Sequence, residues 1–191
     1  MKMKEGSFIE LKKIWLVVLS LLLVLCTACQ KSDSVVTKKN EVSSEKAVEL
    51  AANWATTVSL VQAGGVYSEG EYERFNYKGE TYRYMASYLD TKKELRAELE
   101  KSVTKKVARK FMKEHRFIKH KRRLAQLEAD EGSLLQWGVA TAKEVKSKKN
   151  KSVFELSVPV GYTGTFDKFE VTYEYVKKSG WRISKLPEYK K

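Results

Sequence analysis

The chain has 191 residues, with 37 Lys+Arg against 24 Asp+Glu, two Cys, two Pro and 42% hydrophobic residues. That apolar share can bury a core, so wholesale disorder is excluded, and the length suits one domain or two small ones. Both cysteines, at positions 26 and 29, fall in the N-terminal segment. None remains downstream to pair, bind metal or attack a substrate, which excludes a disulfide scaffold and a thiol catalyst.

The first 28 residues read as an export signal. Lys2, Lys4, Lys12 and Lys13 form a basic start, diluted by Glu5 and Glu10, and residues 14–25 (IWLVVLSLLLVL) carry no charge. A helix needs about 20 apolar residues to cross a bilayer, so this run has the length of a signal-peptide core rather than of a permanent span. Thr27-Ala28 before Cys29 resembles the bacterial lipobox, in which the cysteine takes a diacylglycerol and becomes the mature N-terminus. Cys26, at the position usually held by Leu, departs from that pattern. The expectation is a lipid-anchored Cys29 at the extracellular face of the cell membrane; simple cleavage after Ala28 would instead release the chain to the cell wall or medium. Past residue 28 the chain retains 33 basic and 22 acidic side chains. Outside a bacterial membrane its anionic neighbours are phospholipid headgroups and teichoic acids rather than nucleic acid.

From Cys29 to residue 43 the polar, Ser/Lys-rich sequence predicts a flexible tether, with one folded domain over 44–191. Ala47, Val48, Ala51, Trp54, Ala55, Val58 and Val61 recur at helical spacing, with Ser44 as the N-cap and Gly64-Gly65 as the stop. Tyr72, Phe75 and Tyr77 alternate ahead of Lys78-Gly79, and Thr81, Tyr82, Tyr84 and Met85 follow, which predicts a β-hairpin. Thr91 and Glu94 are spaced as a capping box for a helix carrying Leu95, Leu99 and Val103. Thr104 opens a second short helix with Val107, Ala108 and Phe111. Residues 115–125 read as two short strands around a basic turn, and 128–133 as a loop, after which Leu134, Leu135 and Trp137 return to the core. Four alternating stretches, 139–145, 152–160, 168–176 and 181–185, predict an antiparallel meander. Trp54, Trp137 and Trp181 read as core residues. Helices first and strands later make the fold class α+β, with N-terminal helices packed on a predominantly antiparallel sheet.

No nucleophile elbow, HExxH, phosphate-binding loop or dinucleotide fingerprint occurs. His115 and His120, five residues apart, do not share a helical face, so neither a metal site nor any cofactor is indicated. With no catalytic set, the residues point to a binding protein. Two charge features remain. Residues 101–123 hold eleven Lys/Arg and a single acid, Glu114. This stretch is either a solvated helix face with a basic turn or a surface, built on Lys105, Lys106, Arg109, Arg122 and Arg123, that attaches to wall polymer or membrane. The second feature is Glu128, Asp130 and Glu131 followed by Gly132, an acidic interruption that reads by itself as a helix N-terminus or a plain surface loop.

An ordered set of blocks resembles the IseA-type inhibitors of peptidoglycan DL-endopeptidases of Gram-positive bacteria. They are Tyr82-Arg83-Tyr84, Leu89 to Leu95 (LDTKKEL), Thr104-Lys105-Lys106, Leu124-Ala125-Gln126, Ala129 to Trp137 (ADEGSLLQW), Val158-Pro159-Val160-Gly161 and Gly180-Trp181-Arg182-Ile183, spread over residues 65–186. The turn at 119–123 is more basic than the family's, and members are commonly secreted without lipid. The resemblance implies a two-lobed fold around a cleft and a non-enzymatic role: inhibition of NlpC/P60-type cysteine peptidases that cut the D-γ-glutamyl–diaminopimelate bond. Stem peptides carry free carboxylates, so a cleft that holds them attracts carboxylate side chains. Glu128, Asp130 and Glu131 are therefore the candidate inhibitory loop, with Gly132 allowing its turn. The alternative is an envelope lipoprotein that binds anionic polymer or membrane through its basic face.

Overall fold

The computed structural model describes residues 41–128 and 132–190. The export segment, Cys29, the tether up to residue 40, and Asp130 and Glu131 of the acidic loop lie outside the described residues.

Helix α1 (Ser44–Gln62) starts at Ser44, so its cap is Ser43, one residue before the expected one. The Ser43 hydroxyl, on extended backbone, accepts the Lys46 N–H at 3.2 Å. Ala47, Leu50, Ala51, Trp54 and Val61 make its buried stripe. It stops at Gly64-Gly65, as the sequence predicts, and the reason is steric as well as conformational. Both glycines have left-handed φ values, +89° and +102°, and a Cβ on Gly64 would stand 1.9 Å from the Tyr67 hydroxyl. That hydroxyl donates to the Tyr84 carbonyl at 2.7 Å, which ties the end of α1 to the first sheet, and burial pushes the Tyr67 phenol up to about 12.

The predicted hairpin is β1 (Arg74–Tyr77) and β2 (Glu80–Tyr84), turned by Lys78-Gly79 with positive φ at both positions, the twist that a two-residue hairpin loop prefers. Helix α2 (Lys92–Leu99) carries the full Thr91/Glu94 capping box. Helix α3 (Lys105–Glu114) has Thr104 at its N-cap, but the hydroxyl makes no capping bond; the Thr104 carbonyl accepts the Ala108 N–H at 2.9 Å. The two short strands expected over 115–125 are β3 (Ile118–His120) and β4 (Arg123–Leu127), around Lys121-Arg122. These four strands make an antiparallel sheet in the order β1-β2-β4-β3. The predicted meander, β5 (Thr141–Lys148), β6 (Lys151–Pro159), β7 (Phe166–Val176) and β8 (Gly180–Tyr189), is a second antiparallel sheet in sequential order. The fold class is α+β.

Two hydrophobic clusters follow from this layout. In the larger, the helices cover the inner face of the meander, where Phe154, Leu156, Val158, Val171, Tyr173 and Ile183 alternate inward. Trp54 meets Phe111 edge-on at 5.2 Å, and Trp137 packs on Phe169 at 4.8 Å. Trp181 is half-buried against the same core. The smaller cluster lies on one face of the first sheet, around Tyr82, Tyr84 and Ala125. Among the described residues, every member of both clusters lies at or after Val42, within the compact unit Lys38–Lys191. Leu134 departs from expectation. It stays 71% exposed, because its backbone is committed to a bond with Gly161 N–H at 2.8 Å that turns the side chain outward, while Leu135 packs inward.

Candidate functional site

The loop at 128–133 joins the two sheets, and its two feet are fixed in different ways. At the first foot, Glu128 extends β4 by one rung, its N–H donating to the Thr81 carbonyl at 2.9 Å. Its carboxylate does not project freely. It accepts a hydrogen bond from the Tyr72 hydroxyl and lies 3.9 Å from the Arg74 guanidinium and 4.0 Å from that of Arg83. Arg83 is itself almost fully buried, and Tyr72 leans edge-on against Tyr67 at 5.3 Å. The bond to the carboxylate raises the Tyr72 phenol above its ordinary value. Glu128 thus balances a buried cation and locks the start of the loop.

At the second foot the Ser133 hydroxyl accepts the Leu135 N–H at 3.2 Å, Leu135 bridges to Val160, and the Gln136 N–H donates to the Pro159 carbonyl at 2.9 Å. Gly132 lies between the feet with its φ outside the left-handed region and open space where a Cβ would stand. Nothing in its backbone requires glycine. Beneath this foot opens a groove of about 410 Å³ whose apolar wall is Trp54, Val58, Phe111, Trp137 and Phe169, with Gly132 and Ser133 on its rim. His115 closes one side, stacked on Phe111 at 3.7 Å, with Nδ1 against the Phe111 carbonyl at 2.9 Å.

The five basic residues singled out from the sequence separate. Lys105, Lys106 and Arg109 are exposed on α3, and Arg122 is exposed at the tip of the β3–β4 turn. Arg123 is half-buried: it lies 3.2 Å from Glu73 and 3.9 Å from Asp90, donates to the Met85 carbonyl at 3.3 Å and stacks over the Tyr84 ring at 4.4 Å. It seals the aromatic cluster of the first sheet. His120 belongs to the same cluster, parallel to Phe75 at 4.1 Å with Nδ1 bonded to the Tyr84 hydroxyl. Among the described residues no group of three or more His, Cys, Asp or Glu could hold a metal ion, and no helix is long and apolar enough to cross a membrane.

Two features were missed by sequence reasoning. Tyr72 was assigned to the hairpin alternation, yet it precedes β1 and meets Glu128 across 56 residues; no local pattern carries that contact. The lysines of the β5–β6 turn, 148, 149 and 151, did leave a signal, a short basic run at a strand break.

The family model described as "IseA DL-endopeptidase inhibitor" matches residues 38–188. The chain is also 30% identical over 112 residues to a Bacillus subtilis (strain 168) protein named "Uncharacterized protein YoeB". That alignment covers 59% of this chain and 61% of the relative.

Proposed function

The chain belongs to the IseA DL-endopeptidase inhibitor family, and from that membership we propose that it inhibits NlpC/P60-type peptidoglycan DL-endopeptidases, limiting cell-wall hydrolysis by occupying the peptidase cleft rather than by turning over a substrate. The observation that carries the reading is the loop braced at both feet: the Glu128 clamp on one sheet, and the Ser133–Leu135 ladder into the other. A bound loop of this kind loses little conformational freedom at its ends, which favours tight association. Asp130 and Glu131 are the residues assigned to meet the peptidase; Glu128 fixes the end of β4 from which they follow. Charge pairs at such a contact act mainly on encounter rate and specificity, so added salt weakens binding.

The test is residual DL-endopeptidase activity on purified peptidoglycan, titrated with the chain. Stoichiometric loss of activity is expected, weakened in Asp130→Lys/Glu131→Lys with Glu128 retained. Full hydrolysis at saturating chain ends the inhibitor reading; undiminished inhibition by the folded double variant moves the contact off the loop. A second reading, attachment to anionic wall polymer, is favoured by one observation: Lys105, Lys106 and Arg109 are exposed on α3 without a carboxylate partner among the described residues. Sedimentation with walls that Lys105→Gln/Lys106→Gln/Arg109→Gln abolishes, together with a failed titration, selects it. In either case Cys29 is assigned as the lipid-bearing residue that holds the protein at the outer membrane face. Mass spectrometry of the mature N-terminus separates this from simple cleavage.

A further inference from the structure

The lysines of the meander sheet fall into two populations. Over its solvent face three of them meet carboxylates, while Lys143 does not. Lys168 and Lys190 converge on Glu155 at 3.5 and 3.1 Å, Lys190 also approaches Glu170 at 3.7 Å, and Lys185 meets Glu188 at 2.8 Å. At one end of the sheet this pattern stops. The β5–β6 and β7–β8 turns lie side by side there, since Lys151 opens β6 opposite Glu174 of β7, and the Tyr175 N–H donates to the Asn150 carbonyl at 2.9 Å. Lys146, Lys148, Lys149, Lys151, Lys177 and Lys178 gather on these two turns. All six are exposed, and none has a carboxylate partner among the described residues. Glu144 and Glu174, on the same strands, offset only two of them. The turns are tight, with Asn150 and Lys178 in left-handed backbone at φ 65° and 72°, so the charges are held together rather than dispersed.

The direction of the chain gives this end a meaning. The Tyr173 hydroxyl, three residues before the Val176 end of β7, donates to the carbonyl of Ala47 in the first turn of α1 at 2.7 Å. Two turns later Trp54 lies in the groove with Trp137 and Phe169, toward the other end of the sheet. Ala47, in the first turn of α1, therefore lies nearer the lysine-rich end of β7 than Trp54 does. Residues 30–41 reach at most about 40 Å when fully extended, which bounds the distance from an anchor at Cys29 to the start of the folded body. The loop site lies at the opposite end: its second foot bridges to Val160, just beyond the Pro159 end of β6, and the nine residues of β6 span about 30 Å.

We propose that the paired β5–β6 and β7–β8 turns form a membrane-docking surface for anionic phospholipid headgroups, which seats the body on the bilayer and presents the 128–133 loop outward. The proposal rests on the reading of the N-terminal segment as a membrane anchor, and its consequence for the loop rests on the inhibitor reading. Each lysine beside an anionic leaflet raises partitioning about fivefold, and the attraction fades within a Debye length of about 8 Å at physiological salt. Phosphodiester headgroups suit flexible ammonium donors, which meet them as point charges.

The test is co-sedimentation of the chain from Lys38 onward with vesicles of phosphatidylglycerol and phosphatidylcholine, and with pure phosphatidylcholine. Binding only to the anionic vesicles is expected, falling at least about a hundredfold in Lys148→Glu/Lys149→Glu/Lys177→Glu/Lys178→Glu and steeply with salt. The control Lys106→Glu/Arg109→Glu/Lys113→Glu, on the exposed side of α3, should lose less than about tenfold. An equal loss in both variants, equal binding to uncharged vesicles, or sedimentation with teichoic-acid-bearing walls but not with vesicles overturns the proposal. Peptidase inhibition in free solution, read on the same variants, keeps the two ideas apart. If the turn variant inhibits normally but leaves vesicles, docking is supported. If the wild type docks but never inhibits, only the inhibitor reading falls.

Discussion

Glu128 illustrates how a residue can be conspicuous in sequence for one reason and important in the fold for another. Its place in an acidic run marks it as a candidate recognition charge, whereas the structure commits it to Tyr72, Arg74 and Arg83. Glu128→Ala removes a bond and takes a carboxylate away from a nearly buried guanidinium, which should cost about 1–3 kcal/mol. Glu128→Gln keeps an acceptor for Tyr72 and should cost less, so paired denaturant titrations rank the two variants below wild type in that order. Equal stability of Glu128→Ala and wild type would show that the clamp carries no load. The acidic run was legible because charge is a local property. The clamp was not, because its partners come from two other elements and nothing at position 72 or 83 announces a carboxylate 45 or more residues away.

At the scale of elements, the turns divide into those with glycine and those without. Lys78-Gly79 places a glycine at the second left-handed position, but Lys121-Arg122 turns the β3–β4 hairpin with φ values of 45° and 69° on two long side chains. A left-handed non-glycine residue costs about 1–2 kcal/mol, partly offset on replacement by the greater chain entropy of glycine. Arg122→Gly should therefore raise stability by roughly 0.5–1 kcal/mol, seen as a higher denaturant midpoint at unchanged slope. A lower midpoint would mean that the arginine makes a compensating contact. A second element-level device is Glu71, whose carboxylate accepts the backbone N–H groups of Ser68, at 2.7 Å, and of Ser87, pinning the segment before β1 to the turn after β2. These bonds to Ser68 and Ser87 stabilise the carboxylate and hold its pKa below the usual 4.5. A carboxyl lowered in the folded state adds stability that is fully present above 4.5 and disappears as pH falls through the lowered value. Acid unfolding should thus be less steep in Glu71→Gln than in wild type; superimposable acid profiles would contradict the assignment. Helix starts were legible at this scale, since the Thr91/Glu94 box is a four-residue code. The Ser43 cap was missed by one position because Ser43 and Ser44 are chemically equivalent and only the backbone decides between them.

At the scale of the molecule, the meander sheet was legible and the first sheet was half-legible. The meander joins neighbours in sequence, so alternation and turn residues suffice. The first sheet pairs β2 with β4 across α2 and α3, with Tyr82 opposite Leu127, and no periodicity reports which distant strand closes a hairpin. The candidate site depends on that closure, because the loop leaves from β4. The aromatic face that results, with His120 on Phe75 and Arg123 on Tyr84, explains why the basic segment could not be a uniform surface: part of it is consumed in covering rings.

One contact sets a timetable. Val103, between α2 and α3, pairs with Ile183 of β8, the Thr104 N–H donates to the Ile183 carbonyl at 2.9 Å, and the Ile183 N–H returns to Ser102 at 3.0 Å. The link between α2 and α3 is thus not pinned until residue 183 has been made, whereas α1 already meets Tyr173 of β7. Sequential hairpins form early, while closures over long loops wait for their entropy to be repaid. Pulse-labelled refolding should show amides of β5–β7 protected before those pairing β2 with β4, and a chain ending before Gly180 should leave the Thr104 amide unprotected. Simultaneous protection of both sheets would replace this order with a single concerted step, and it is the Ser102–Thr104 amides, rather than those of α1, that depend on β8. The junction between α2 and α3 is thus the part of the helix layer that stays open longest to solvent and to exchange.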